Sequence, residues 1–189
     1  LTQSSDVSVL TCDRWKGFQS LRSRREASGS VFVYRFFPLN IFSFVDINEK
    51  PFILRFLWTI GDFFNIHAML EARRVINEVR PDIVMTHNIK GLTYGIPWLV
   101  RRMKIRHMHV PHDVQLVFPS GLLIYGQERL LNSPLVRAYS WITRALFGSP
   151  KWVVCASEFL KQFYVSRGFF SHSHVMVLRN PAPQLSGSH

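Results

Sequence analysis

Short β-branched runs alternate with longer stretches of helical periodicity along this chain, and no other feature restricts its fold as strongly. Runs rich in Val, Ile and aromatic residues favour extended structure, and they lie at 6–11, 31–37, 82–87, 105–110, 152–157 and 174–180. Apolar residues recur at three- and four-residue spacing over 54–79, 92–103, 128–147 and 157–168, which predicts helices. The alternation predicts an α/β fold, with a parallel sheet covered by helices on both faces.

Glycine and proline mark expected interruptions in three of these helices. A break is expected near Gly61 in the first of them. Pro97 and Pro134 each predict a kink or a split, because proline removes a backbone donor. The segment 20–30 is basic, small and polar, so it is interpreted as an exposed loop.

Charge and cysteine content limit which partners and which cellular compartment are expected. The 189 residues hold 23 Lys and Arg against 12 Asp and Glu, and the net charge of +11 favours anionic partners. Cys12 and Cys155 lie in separate apolar runs and form no disulfide framework, so a reducing, cytoplasmic location is predicted. The apolar segment 51–70 is interrupted by charged and polar residues and is not expected to span a bilayer. A peripheral position on the inner face of a membrane stays an open alternative.

Polar residues lie at or just past the ends of four of the predicted strands. Because ligands of parallel sheets bind beyond the carboxyl ends of the strands, these residues are expected to line one shared cleft. They are His87 and Asn88, His112 and Asp113, Ser157 and Glu158, and Asn180.

The histidine cluster around residue 110 raises the question of a metal site. His107, His109 and His112 form an H-x-H-x-x-H pattern that resembles the zinc signature of metallo-β-lactamase-type hydrolases, but Pro111 stands where that signature has Asp. A zinc site needs three or four converging ligands, so His107 and His109 are interpreted as strand residues with local hydrogen bonds. No metal is expected.

His112 differs because it follows a proline just past the predicted strand end. An imidazole at this place can point into the cleft and titrates near neutral pH, which suits contact with a substrate hydroxyl or a developing charge. Asp113 is expected to cap the following segment or to bind a substrate hydroxyl. That both residues only cap a loop is an alternative that the spacing leaves open.

Four stretches, taken in order, resemble the retaining family-4 glycosyltransferases. They are "PDIVMTHNIKGL" (81–92), "KIRHMHVPHDVQLVFPSG" (104–121), "WVVCASEFLKQFYVSRGF" (152–169) and "VMVLRNPA" (175–182). The resemblance covers residues 81–182 and implies half of a GT-B architecture, a Rossmann-like parallel sheet with helices on both faces. It departs from the family at Met85, where a histidine is usual, and at Phe118, where a cysteine is frequent.

The resemblance also implies roles for particular residues. His112 matches the family's active-site histidine, which contacts the transferred sugar, and is the predicted catalytic residue. The other matching positions are predicted to bind substrate: His87, Asn88, Gly91, Asp113, Ser157 and Glu158. Ser157 is also a natural helix N-cap, so a structural role is equally open there. Asn180 is expected to mark a hinge.

The implied activity is transfer of a sugar from a nucleotide-sugar to a glycan or a lipid-linked acceptor, without cofactor or metal. Residues 1–182 are predicted to be one acceptor-binding N-terminal domain, followed by a tail at 183–189. The family's first strand and its C-terminal donor-binding domain lack counterparts here, so this fragment alone is expected to be inactive. The donor-binding domain is therefore an expected partner.

Two other classes of function compete with the transferase. The basic residues and the 51–70 segment suit a non-catalytic module that binds an anionic membrane surface or another partner. Nucleic-acid binding would use the same charge, but the chain has no helix-turn-helix, zinc-finger or RNA-recognition motif, so no nucleic-acid partner is predicted.

Overall fold

The computed structural model describes residues 5–122, 126 and 128–179. Its strands are β1 (Val7–Cys12), β2 (Arg24–Ser28), β3 (Val31–Phe36), β4 (Ile83–Thr86), β5 (Arg106–His109), β6 (Trp152–Cys155) and β7 (His174–Val177). Its α-helices are α1 (Phe52–Phe63), α2 (Ile66–Val79), α3 (Gly95–Arg102), α4 (Pro134–Phe147) and α5 (Glu158–Val165). Short 3-10 helices cover Phe18–Leu21, Phe44–Glu49 and Glu128–Asn132.

The strands form two sheets. β4, β5, β6 and β7 lie side by side in chain order as a parallel sheet flanked by helices, which confirms the predicted α/β, Rossmann-like class. The other sheet has the order β1-β3-β2, with β1 parallel and β2 antiparallel to β3. The interpretation of 20–30 as a loop was therefore wrong in part. Every residue of β2 is exposed, but Gly29, at φ 60°, turns the chain so that β2 pairs with β3.

The described residues fall into two compact units. The first comprises residues 5–84, 89–107 and 145–148, and the second comprises the described parts of 85–88, 108–144 and 149–179. The prediction of one domain over 1–182 stays a prediction.

The core of the first unit lies where α2 packs against α3. The buried members of this cluster are apolar, and partly buried apolar side chains from β1, β4 and the segments flanking α3 surround them. The buried members are Ala72, Ile76, Ile96, Leu99 and Val100. Side chains at four-residue spacing on each helix supply this contact, as the periodicity predicts.

The predicted long helix over 54–79 is divided at Asn65 and not near Gly61. Asn65 caps α2 by accepting a hydrogen bond from the N–H of Ala68 at 2.9 Å, which satisfies an otherwise unpaired donor of the first turn. Gly61 stays inside α1, where a Cβ would lie only 3.1 Å from the side-chain oxygen of Asn40. The glycine is thus explained by close packing.

The two prolines stand near helix starts, where a missing N–H costs little. Pro97 lies in the first turn of α3, which begins at Gly95 and not at residue 92. Pro134 is the first residue of α4 and separates it from the preceding 3-10 helix, so the split predicted there is confirmed. Among the residues described, no helix is long and apolar enough to cross a membrane.

Asp62 is a carboxylate buried among the apolar side chains of the first unit. Its Oδ2 accepts the backbone N–H of Gly91 at 3.0 Å, while its Oδ1 has no hydrogen-bond partner among the described residues. Burial raises the pKa of Asp62 to about 7, although the Gly91 N–H and the charge of Lys90 both act to lower it. The folded chain therefore holds this proton over a range in which the unfolded chain loses it.

We expect Asp62→Asn to gain stability relative to the parent as pH rises. The unfolded carboxyl ionises near its ordinary pKa of 3.8 and the folded one near 7, so the parent loses stability across that window whereas the amide does not titrate. Chemical denaturation at about pH 5 and about pH 8 should show the difference growing by on the order of 2 kcal/mol.

The same change at the exposed Asp82 serves as the control and should not produce this trend. A stability difference for Asp62→Asn that stays constant with pH would contradict the proposed titration.

Candidate functional site

The carboxyl ends of β4 and β5 are aligned by bonds within the second unit. The N–H of Val110, just past β5, donates to the carbonyl oxygen of Thr86, the last residue of β4, at 2.9 Å. The Nδ1 atom of His109 lies 2.9 Å from the Thr86 hydroxyl and 3.1 Å from its carbonyl oxygen. Both side chains are buried, so this contact holds the ends of the two strands level.

His87 and His112 leave these strand ends and contact each other. The Nδ1 of His87 lies 3.0 Å from the Nε2 of His112, and the rings are stacked with an interplanar angle of 20° and centroids 5.3 Å apart. One of the two nitrogens must carry the proton of this hydrogen bond. The remaining ring nitrogens, Nε2 of His87 and Nδ1 of His112, have no partner among the described residues.

Burial disfavours the protonated form of His87. Desolvation lowers the pKa of His87 below its ordinary 6.5, and the charge of a protonated His112 lowers it further. Both side chains still reach solvent. When both rings are neutral, the pair can offer a donor from one ring and an acceptor from the other to a bound hydroxyl.

Asn88 and Asp113 form a second contact between the same two strand ends. The side-chain amide of Asn88 donates to the Oδ2 of Asp113 at 3.2 Å. The Oδ1 of Asp113 accepts the backbone N–H of Gln115 at 2.8 Å, so the expected capping role of Asp113 is confirmed. Carboxylate oxygens hold further lone pairs, and each could accept a ligand hydroxyl in addition.

Two residues that the sequence interpretation missed position Asp113. The buried hydroxyl of Tyr164 on α5 donates to the backbone carbonyl of Asp113 at 2.7 Å. Gly121, at φ 74°, lies so close that a Cβ would stand 3.0 Å from the Asp113 carboxylate. The positive φ and the close approach both require glycine here. The "PSG" that ends the quoted stretch is the available signal for Gly121, whereas Tyr164 looked like an ordinary helix residue.

Ser157 and Glu158 lie at the start of α5, after β6. The Ser157 hydroxyl oxygen accepts the N–H of Leu160 at 3.2 Å, which confirms its expected role as N-cap. Glu158 is exposed and forms an ion pair with Lys161 at 3.5 Å. Because β5 and β6 are parallel neighbours, Ser157 follows a strand end on the same edge of the sheet as His112. The described contacts of both residues are local, and their substrate contacts stay predictions.

Gly91, a predicted substrate-binding residue, has a packing role in the first unit. Its φ is 93°, and a Cβ would stand 2.7 Å from the Cγ of Phe44 and 2.8 Å from its Cβ. Its N–H donates to the buried Asp62. These contacts explain the glycine without a ligand, and a substrate contact at Gly91 stays a prediction.

The other histidines of the cluster are strand residues, as expected. His107 and His109 are both buried in β5. Burial lowers the pKa of His107 to about 4, and the charge of Arg101 acts in the same direction, so this ring is neutral at neutral pH. Within residues 5–122, 126 and 128–179, no group of three or more His, Cys, Asp or Glu side chains is arranged to hold a metal ion. Asn180, the predicted hinge, lies outside the described residues.

We expect Gly91→Ala to be more destabilising than Gly17→Ala by about 1–3 kcal/mol, because only the first forces a close contact. Gly17 has a φ of 88°, nearly that of Gly91, but nothing lies within 4 Å of the Cβ it would acquire. The pair therefore separates steric overlap from backbone strain. Urea denaturation of both variants measures the difference in the free energy of unfolding. Equal losses of stability would show that the Phe44 side chain moves aside at little cost.

Comparison with known proteins identifies the family of the chain. The family profile of Glycosyltransferase Family 4 matches residues 6–183. An "Uncharacterized 42.6 kDa protein in cps region" of Klebsiella pneumoniae is 25% identical over 160 residues, which cover 84% of this chain. The chain spans 43% of the length of that relative, and no solved structure matches. Because the profile covers nearly all of the sequence, the chain belongs to Glycosyltransferase Family 4.

Proposed function

We propose that the chain is the acceptor-binding N-terminal domain of a retaining glycosyltransferase that takes a sugar from a nucleotide-sugar. Family membership supports the transferase class. The observation that carries the finer proposal is the contact of His87 with His112 and of Asn88 with Asp113, at adjacent strand ends. Four polar side chains grouped on the edge where ligands of parallel sheets bind suit recognition of a hydroxyl-rich molecule.

The reaction that this site would serve is a substitution at the anomeric carbon. The bond between that carbon and the donor phosphate breaks, and the acceptor oxygen forms a bond to the same carbon. The acceptor proton leaves with the nucleoside diphosphate. His112 would contact the transferred sugar through its outward ring nitrogen, with the other nitrogen held by His87. This proposal includes no metal and no cofactor.

The other proposed contacts surround this histidine. Asn88 and Asp113 would bind hydroxyl groups of the sugar or the acceptor, which is a glycan or a lipid-linked molecule. Ser157 and Glu158 would line the same edge beyond β6, where the Ser157 hydroxyl keeps its proton available to donate. Most of the donor contacts would come from a C-terminal domain, so the present residues alone are expected to turn over little or no substrate.

His112→Ala is expected to reduce kcat/KM by about 100-fold in the full-length enzyme, because it removes a contact to the reacting sugar. The assay follows release of nucleoside diphosphate from a panel of nucleotide-sugars, with glycan and lipid-linked acceptors supplied. The control is His172→Ala, at an exposed histidine of the same unit outside the site. A folded His112→Ala enzyme with the parent's kcat/KM would contradict the catalytic role.

A non-catalytic module that binds a membrane surface or a partner is the second candidate. The exposed apolar side chains of α1 favour it. If the full-length parent releases no nucleoside diphosphate from any nucleotide-sugar of the panel, yet binds vesicles, this second function replaces the first.

A further inference from the structure

The outer side of α1 is apolar although it is exposed to solvent. Its exposed side chains recur at three- and four-residue spacing and are between 46% and 74% accessible. They are Phe52, Ile53, Phe56, Leu57, Ile60 and, directly after the helix, Phe64. We call these residues the α1 face. Single exposed apolar residues are ordinary, but a contiguous set of this size marks a surface that another body covers.

The opposite side of α1 packs against the rest of the first unit. The exposure of the α1 face therefore does not come from an incorrectly rotated helix. Trp58 is buried, its Nε1 donates to the carbonyl oxygen of Phe42 at 2.8 Å, and its ring stacks with that of Phe42. Asp62, four residues after Trp58, is buried on the same side. Rotating the helix would expose the tryptophan and break its hydrogen bond to Phe42, and both are costly.

A loop of the first unit adds to the apolar surface beside the helix. The side-chain amide of Asn40 donates to the carbonyl oxygen of Trp58 at 3.1 Å, and that of Asn65 donates to the carbonyl oxygen of Leu39 at 3.0 Å. These bonds hold the loop that contains Leu39, Asn40 and Ile41 against α1. Leu39 and Ile41, on the same loop, are each more than half exposed.

The exposed charge of α1 itself is cationic. The acidic residue of the segment 51–70 is Asp62, which is fully buried, so the outward charge of α1 is that of Arg55. Lys50, two residues before the helix, is half-buried and the exposed Glu49 beside it opposes its charge, whereas the whole chain carries a net charge of +11. The surface therefore suits a negatively charged partner.

The polar chemistry of the α1 face favours lipid over protein as that partner. Protein interfaces carry about one hydrogen bond per 100–200 Å². Within α1, the Thr59 hydroxyl is already bonded to the carbonyl oxygen of Arg55 at 2.8 Å, so the cationic side chains supply the outward donors. Acyl chains need no hydrogen bonds, and anionic headgroups accept from Arg and Lys.

We infer that the α1 face, with Lys50 and Arg55 at its margin, docks the protein on an anionic lipid bilayer. The apolar side chains would enter the boundary between headgroups and acyl chains, and the two cations would contact lipid phosphates. This inference does not depend on the transfer reaction. An enzyme with a lipid-linked acceptor would nevertheless gain from it, because acceptor and site would share one surface.

Vesicle co-sedimentation of the full chain tests the inference. The parent should bind vesicles of phosphatidylcholine and phosphatidylglycerol at low salt, and more weakly those of phosphatidylcholine alone. The variant I53Q/F56Q/I60Q keeps good helix formers and should bind at least about tenfold more weakly. The variant K50Q/R55Q should lose most of the preference for phosphatidylglycerol.

The matched control is L135Q/W141Q, which alters two exposed apolar residues of α4 and should bind like the parent. Circular dichroism checks the fold of each variant, and the single change Ile60→Gln replaces the triple variant if the latter loses helix. A parent that does not sediment at low salt, or α1 variants that bind like the parent, would overturn the inference. So would a parent dimer that I53Q/F56Q/I60Q converts to monomer, since a second copy would then cover the face.

Discussion

The level alignment of β4 and β5 is the constraint on which the candidate site depends. Val110 and His109 both bond to Thr86, so the residues that follow the two strands emerge side by side. The two inter-strand contacts of the site, between the histidines and between Asn88 and Asp113, follow directly from that register. A one-residue shift would turn alternate side chains to the other face and separate both pairs. The buried strand histidine thus supports the exposed ones.

The part of the site that the sequence predicts follows from the periodicity of the strands and from the residues that end them. The β-branched run before His87 and the proline before His112 placed both residues past strand ends, and the rule for parallel sheets placed them on one edge. The N-cap role of Ser157 was equally predictable, because a serine between a strand and a helix is a natural N-cap. These inferences needed only local sequence and one topological rule.

The remainder depends on contacts between distant residues, which local patterns do not encode. That Nδ1 of His87 meets Nε2 of His112 depends on register and rotamers. β2 was missed because "RREAS" has no strand-like alternation and gains its conformation from pairing with β3. The helix break was placed at Gly61 on propensity alone, whereas the Asn65 cap decides it.

In the proposed function, His87 and His112 act as one unit in sugar transfer, and a double-mutant cycle tests this coupling most directly. It compares His87→Ala, His112→Ala and the double variant of the full-length enzyme through kcat/KM for release of nucleoside diphosphate. Coupled residues should give a double variant little worse than the poorer single one, with an interaction energy above about 1 kcal/mol. Losses that add to within about 0.5 kcal/mol would show that the two imidazoles act independently and would contradict the account.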